Sequence, residues 1–122
     1  MKEKKLAIFG NSLMAELVHF YFNKFTDYKT SFFVTERKFL KEKKIKSVNV
    51  ISLDNFLKLN KDEFTVFIAI GYSSLNKKRE EFYHFFKKKN FKLTNFIHPL
   101  ASAYHNKIGD NNFIMDNVSI NP

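Results

Sequence analysis

The sequence predicts a three-layer α/β domain, in which a parallel sheet carries helices on its two faces. Short apolar runs alternate with amphipathic segments along most of the 122 residues. The runs at residues 6–9 and 65–70 are almost continuously apolar and each stops at a glycine, as expected for strands buried on both faces of a parallel sheet. Strands and helices that alternate at this spacing imply right-handed crossovers within one sheet.

The first helix and the remaining strands follow from local periodicity. Residues 13–25 predict a helix, because their apolar side chains recur every three or four residues and form one stripe. A charged segment at residues 35–46, interrupted by Phe39 and Leu40, is expected to be a loop. Three short apolar runs predict further strands at 30–34, 48–51 and 93–97.

Two more helices are predicted from their capping residues. Asp54 is expected to cap a brief helix that runs through Leu59, because its carboxylate accepts hydrogen bonds from the unpaired amides of a first turn. Ser73 or Ser74 is expected to cap a longer helix that ends near Asn90.

The composition narrows the class of protein. There are no cysteines, which excludes disulfides, cysteine-ligated zinc and a thiol nucleophile, and fits a reducing cytoplasm. The apolar run after the charged N-terminus is too short for a signal peptide or a membrane span, so we expect a cytoplasmic protein with no membrane partner. The formal charge is +9, but the lysines are dispersed and follow no nucleic-acid-binding motif, which disfavours nucleic acid as a partner. Local positive potential would also suit a diphosphate.

The candidate ligand site follows from the sheet. Ligands of doubly wound sheets bind at the carboxyl ends of the strands, near the point where strand order reverses. Three loops, at residues 10–12, 35–36 and 71–73, are predicted to meet there. The first loop is not a dinucleotide fingerprint, because Ser12 and Ala15 stand where its second and third glycines would be.

The last stretch of the chain changes period. Ile108, Ile114 and Ile120 are six residues apart, with Gly109 and several Asn and Asp residues between them. This spacing is typical of hexapeptide repeats, in which short strands coil into a prism with the aliphatic side chains inside. The alternative is a loop with a chance run of isoleucines. Because a single turn leaves an open edge, we expect the segment from Ala101 onward either to fold back on the α/β domain or to fray.

Taken together, four segments resemble the bacterial hexapeptide-repeat sugar acetyltransferases related to PglD and NeuD. They occur in the family's order: residues 8–18, residues 67–72 with Asn76 and Arg79, residues 97–99, and residues 108–118. The resemblance implies a Rossmann-like parallel sheet with flanking helices at residues 1–98, which holds a nucleotide-linked sugar, usually UDP-linked. It also implies that residues 99–122 form the first turn of a left-handed β-helix.

The resemblance also implies roles for individual residues. The loop after the first strand would lie under the diphosphate, the residues after the second strand would approach the uridine or ribose, and the loop after the fourth would close the pocket. These substrate-binding residues are Gly10, Asn11, Ser12, Thr35, Glu36, Gly71 and Tyr72. Asn76 and Arg79 would contact phosphate or simply lie on a helix surface. Gly10 and Gly71 have the alternative role of permitting tight turns.

Acetyl transfer requires a base near neutral pH, and histidine is the natural candidate. His19 and His84 are expected to be surface or edge residues, and His98 precedes a proline in a hinge or turn. His105 lies upstream of the family's catalytic histidine, which the resemblance places in later β-helix turns together with the acetyl-CoA site. We therefore assign no catalytic and no metal-binding residues to this chain, and expect it to bind without catalysing.

The sequence thus favours the UDP-sugar-binding domain of a sugar N- or O-acetyltransferase of surface glycan biosynthesis. Acetyl-CoA is the implied co-substrate of the complete protein, which the resemblance makes a homotrimer, whereas this chain is expected to be a monomer or weak dimer. One alternative is a non-enzymatic Rossmann-like binding or regulatory module that uses its basic surface for nucleic acid. A dinucleotide-dependent oxidoreductase domain is the other.

Overall fold

The architecture is a six-stranded mixed sheet between helices, with two further two-stranded sheets. The computed structural model describes residues 4–70, 77–98, 102–103, 111, 113–114 and 119–120. In these ranges six strands form the main sheet: β1 Lys4–Phe9, β2 Tyr28–Thr35, β3 Lys44–Ile45, β4 Val48–Ser52, β5 Phe64–Ile68 and β6 Lys92–Leu93. Their order is β3-β4-β2-β1-β5-β6, and every neighbouring pair is parallel except β3 with β4. The predicted fold class is therefore confirmed.

The helices cover both faces of this sheet. They are α1 Leu13–Phe25, α2 Leu53–Phe56 and α3 Lys77–Lys88, with 3-10 turns at Arg37–Phe39 and Lys61–Glu63. Alternate residues of β1 belong to two separate cores: Leu6 and Ile8 pack with α1, whereas Ala7 and Phe9 pack with α2 and α3. Burial on both faces explains why β1 and β5 are apolar without alternation. None of the helices in the described ranges is long and apolar enough to cross a bilayer.

The predicted bounds hold for the helix that has one clear apolar periodicity. They differ from the structure where an adjoining strand or turn extends into the segment. Helix α1 has the predicted bounds. The prediction that Asp54 caps the following helix was wrong, because β4 continues to Ser52, whose hydroxyl accepts a 3.2 Å hydrogen bond from the Asn55 N–H. Asp54 instead forms an exposed ion pair with Arg37 at 3.3 Å. The charged segment at residues 35–46 contains a 3-10 turn and the antiparallel edge strand β3 rather than only a loop.

The predicted fifth strand is two strands that belong to different sheets. Lys92–Leu93 pairs with β5, whereas β7 Phe96–Ile97 pairs in parallel with β9 Phe113–Ile114. A second parallel pair joins β8 Ser102–Ala103 to β10 Ser119–Ile120 with the same residue offset. Such equally offset parallel pairs are compatible with a coil of short strands, and the hexapeptide assignment remains a prediction.

Asn111 ties this last segment to the α/β domain. Strand β6 ends opposite Val66, so no strand of the described residues pairs with the backbone of Ile68 on that side. The side chain of Asn111 fills the place: its Oδ1 accepts from the Ile68 N–H at 2.5 Å, and its Nδ2 donates to the Ile68 carbonyl at 3.1 Å. Its own N–H donates to the Thr94 carbonyl at 3.0 Å. At Asn111 the segment therefore folds back on the domain rather than fraying.

The half-buried His19 of α1 should make stability depend on pH. Its Nδ1 lies 2.8 Å from the Thr30 hydroxyl, and its pKa is lowered from 6.5, first by burial and then by the positive charge of Lys46. The unfolded chain then binds the proton more tightly than the folded chain. This contribution to stability is fully present above pH 6.5 and is lost as pH falls from there towards the lower folded-state pKa.

Urea unfolding between about pH 5 and pH 8 tests this expectation. In His19→Gln, the free energy of unfolding should decrease less than in the parent chain as the pH is lowered from neutral. His84→Gln, at an exposed position of α3, is the matched control and should leave the slope unchanged. An unaltered slope in His19→Gln would rule out His19 as the source.

Candidate ligand-binding cleft

A cleft opens at the carboxyl ends of β1, β2 and β5. Because β1 lies between β2 and β5, strand order reverses at this point, where doubly wound sheets bind their ligands. The cavity has a volume of about 280 Å³. The described residues that line it come from three strand ends, a 3-10 turn and α3: Phe9, Gly10, Asn11, Ser12, Thr35, Glu36, Phe39, Ile70, Lys78 and Phe82.

Gly10 packs against the backbone at the ends of both strands that flank β1. Its N–H donates to the Val34 carbonyl at 2.8 Å, and the Ala69 N–H donates to the Phe9 carbonyl at 2.8 Å. A Cβ at Gly10 would overlap the Ala69 carbonyl oxygen and lie 2.9 Å from its carbon, and the φ of Gly10 is +145°. Both the conformation and the close packing therefore require glycine here.

Ser12 stands before α1 without capping it. Its backbone is extended, with φ −97° and ψ −173°, and its side chain makes no hydrogen bond to the first turn. Ser52, the equivalent residue before α2, is buried and does cap its helix. Ser12 is instead exposed on the cleft, next to the positive end of the α1 dipole.

Asn11 has a specific internal partner. Its Nδ2 donates to the Phe39 carbonyl at 2.9 Å, which joins the Gly10 loop to the 3-10 turn after β2. Thr35 and Glu36 directly precede this 3-10 turn in the chain. Thr35 is only 5% exposed at the end of β2, and the half-buried Glu36 begins the 3-10 turn.

The structure thus brings together five of the predicted site residues: Gly10, Asn11, Ser12, Thr35 and Glu36. Gly71, Tyr72 and Asn76 lie outside the described residues, as do the proposed caps Ser73 and Ser74.

The cleft also contains a cation and an aromatic wall that were not predicted from the sequence. Lys78 lines the cleft, whereas Arg79 donates from Nη2 to the Asn111 carbonyl at 2.6 Å. Lys78 and Phe82 are four residues apart and so share a face of α3, which is the signal that would have identified Lys78. Phe82 packs on Phe9 with 4.3 Å between the ring centroids and forms an apolar wall.

Histidines of the described residues do not line the cleft. His98 is only 8% exposed, and its ring packs 4.6 Å from that of Phe25, so its side chain belongs to the core. The predicted hinge or turn continues into Pro99, which lies outside the described residues. His105 lies outside the described residues. Within the described ranges, no group of three or more His, Asp or Glu side chains is arranged to hold a metal ion.

The sheet order and the cleft define a doubly wound, Rossmann-like α/β domain. Residues 5–86 match the family described as the PglD N-terminal domain, which is most of the chain. The chain belongs to this family, and the resemblance inferred from the sequence is confirmed. A comparison with curated proteins gives no match.

Two solved structures are similar over nearly the whole chain. The acetyltransferase domain of PglB from Neisseria gonorrhoeae FA1090, in complex with acetyl coenzyme A, has a TM-score of 0.76 and 22% identity over 97% of this chain. A second structure of that domain has the same TM-score and identity over 95% of this chain. This chain spans 56% and 55% of the two matched chains, respectively. At this identity the likeness establishes the shared fold.

Proposed function

We propose that this chain is the nucleotide-sugar-binding domain of a sugar acetyltransferase and that its ligand is a UDP-linked sugar. The observation that carries the proposal is the cleft, in which the Gly10 loop, the uncapped start of α1 and Lys78 lie together. Membership of the PglD N-terminal domain family supports the same function.

The diphosphate is assigned to the Gly10 loop and the start of α1. First-turn amides of a helix, together with its dipole, favour an anion. The Ser12 hydroxyl adds a donor that does not cap α1. Lys78 adds a positive charge, and its present partner Glu81 is 3.8 Å away in an exposed pair, so exchanging it for phosphate costs little.

The nucleoside is assigned to the end of β2. Glu36 follows the second parallel strand, where an acidic residue of a Rossmann-like domain accepts hydrogen bonds from ribose hydroxyls. The hydroxyl of Thr35 is next to it on the cleft wall.

The sugar is assigned to the open side of the cleft. A volume of about 280 Å³ is at the lower end of ligand pockets, which span roughly 300–1,000 Å³, so a nucleotide sugar would extend beyond it. In the complete protein we propose that the sugar amine or hydroxyl attacks the thioester carbonyl of acetyl-CoA, losing its proton to a base and releasing the CoA thiol. The base and the homotrimeric assembly belong, in this proposal, to β-helix turns outside this chain.

Calorimetric titration tests the ligand. UDP is expected to bind in the micromolar to millimolar range and more tightly than NAD. Lys78→Ala should weaken UDP binding by about tenfold, because it removes a charge-assisted phosphate contact. Lys77→Ala, the adjacent exposed lysine of α3, is the matched control and should bind like the parent chain.

Three outcomes would contradict the proposal. NAD binding without UDP binding would favour an oxidoreductase domain. Sequence-selective DNA or RNA binding that survives raised salt would favour a nucleic-acid module, since dispersed lysines alone give affinity that collapses with salt. Equal losses of UDP affinity in Lys77→Ala and Lys78→Ala would show that Lys78 does not contact the diphosphate specifically.

A further inference from the structure

Phe39 is an exposed aromatic residue on a firmly held backbone. Its side chain is 48% exposed, and it lines the cleft. Its N–H donates to the Glu36 carbonyl at 2.9 Å, and its carbonyl accepts from Asn11 Nδ2 at 2.9 Å. Arg37, two residues earlier in the same turn, forms an ion pair with Asp54 at 3.3 Å. The ring is thus held at the cleft without being packed into either core.

The surroundings of the ring favour a flat partner. The Lys38 ammonium lies 5.2 Å from the ring centroid, over one face. An exposed ring that lines a cleft can stack on a flat base, and a cation at the ring adds to such a contact. Phe39 also follows Glu36 by three residues, so the base of a nucleotide whose ribose lies at Glu36 is within reach of the ring.

We propose that Phe39 is the platform on which the nucleotide base stacks, and that Asn11 is a positioning residue that holds this platform. The inference rests on the proposed function, because it assumes a nucleotide in the cleft. It changes the expected role of Asn11: its amide donates to the carbonyl of Phe39 rather than to the diphosphate. Phe39 would contact the flat surface of the base and not its hydrogen-bonding edge, so stacking alone does not distinguish one base from another.

Comparing UDP, which has a base, with inorganic pyrophosphate, which has none, distinguishes base stacking on Phe39 from binding of the diphosphate. Phe39→Ala should weaken UDP binding by about fivefold to tenfold, the lower part of the range for base stacking, since the ring is half exposed. Inorganic pyrophosphate, followed by NMR through the Gly10 and Ser12 amides, should bind Phe39→Ala as it binds the parent chain. Phe39→Tyr keeps the ring and should bind UDP within about twofold of the parent chain.

Asn11→Ala tests the positioning role. It should weaken UDP binding by a few-fold while leaving pyrophosphate binding unchanged, and it should cause no further loss in a Phe39→Ala background, because the two residues act through one ring. An equal loss for UDP and pyrophosphate would show that Asn11 contacts the diphosphate directly.

The failures of the two proposals are distinguishable. If the parent chain binds UDP but Phe39→Ala binds it equally well, the base does not stack on Phe39 and the proposed function stands. If the parent chain binds neither UDP nor pyrophosphate, both are wrong. Thermal unfolding of each variant provides the folding control, and a half-exposed ring is expected to leave the melting temperature nearly unchanged.

Discussion

Replacing Gly10 with alanine is expected to destabilise the domain by about 2–4 kcal/mol and to abolish nucleotide binding. Two costs add together. Alanine strongly disfavours the backbone conformation at φ +145°, and its Cβ would overlap the carbonyl of Ala69. That carbonyl is backbone at the end of β5 and has little room to move, so relieving the clash separates β1 from β5 where the cleft forms.

Chemical denaturation and UDP titration measure the two effects. Ser12→Ala is the matched control in the same loop: its side chain does not cap α1, so the free energy of unfolding should change by less than about 0.5 kcal/mol while UDP binding weakens. Parental stability in Gly10→Ala would contradict the packing described here. A stability loss of equal size in both variants would mean that the loop tolerates no change of any kind.

Replacing Asn111 with alanine is expected to cost a similar amount, about 2–4 kcal/mol, although it lies far along the chain from the sheet. The substitution leaves the N–H and carbonyl of Ile68 buried without the partners that the Asn111 side chain supplies. The side chain is 3% exposed, so water cannot readily replace it. Asn111 also has a φ of +61°, which alanine disfavours.

A glycine substitution separates these two costs. Asn111→Gly keeps the left-handed backbone accessible and should retain most of the loss, because the hydrogen bonds to Ile68 are still absent. Asn90→Gly is the matched control, since Asn90 has a φ of +64° but is exposed after α3. It should change the free energy of unfolding by less than about 0.5 kcal/mol. A neutral Asn111→Gly would show that the side chain does not dock against β5.

Some elements of the fold follow from the sequence of the segment itself, and others depend on pairing with distant residues. The bounds of α1 follow from its own apolar stripe. Strand topology predicted that five residues after β1 and β2 would meet at one edge of the sheet, and they line the cleft there, while their role in binding stays a prediction. The strand predicted at residues 93–97 failed because its halves pair with different partners, one of them about seventeen residues downstream. No local pattern carries that information.

The cleft residues that were missed have the same physical explanation. Phe39 lies in a segment dominated by charge, and its place at the cleft depends on the 3-10 turn and on its bond from Asn11. The choice between Lys78 and Arg79 depends on Asn111, which draws Arg79 away through its carbonyl. The spacing of α3 places Lys78 on the face of Phe82, whereas only the long-range contact with Asn111 distinguishes Arg79 from Lys78.

We propose that a nucleotide diphosphate binds at the carboxyl ends of β1 and β2, against the start of α1. Backbone amide chemical-shift mapping with UDP tests it most directly, because it locates the ligand residue by residue. We expect the largest shifts at Gly10, Ser12, Thr35 and Lys78, saturating with one affinity. Shifts centred instead on the separate pocket that His19 of α1 and Lys46 of the β3–β4 turn line, or no saturable shift with UDP, would contradict this placement.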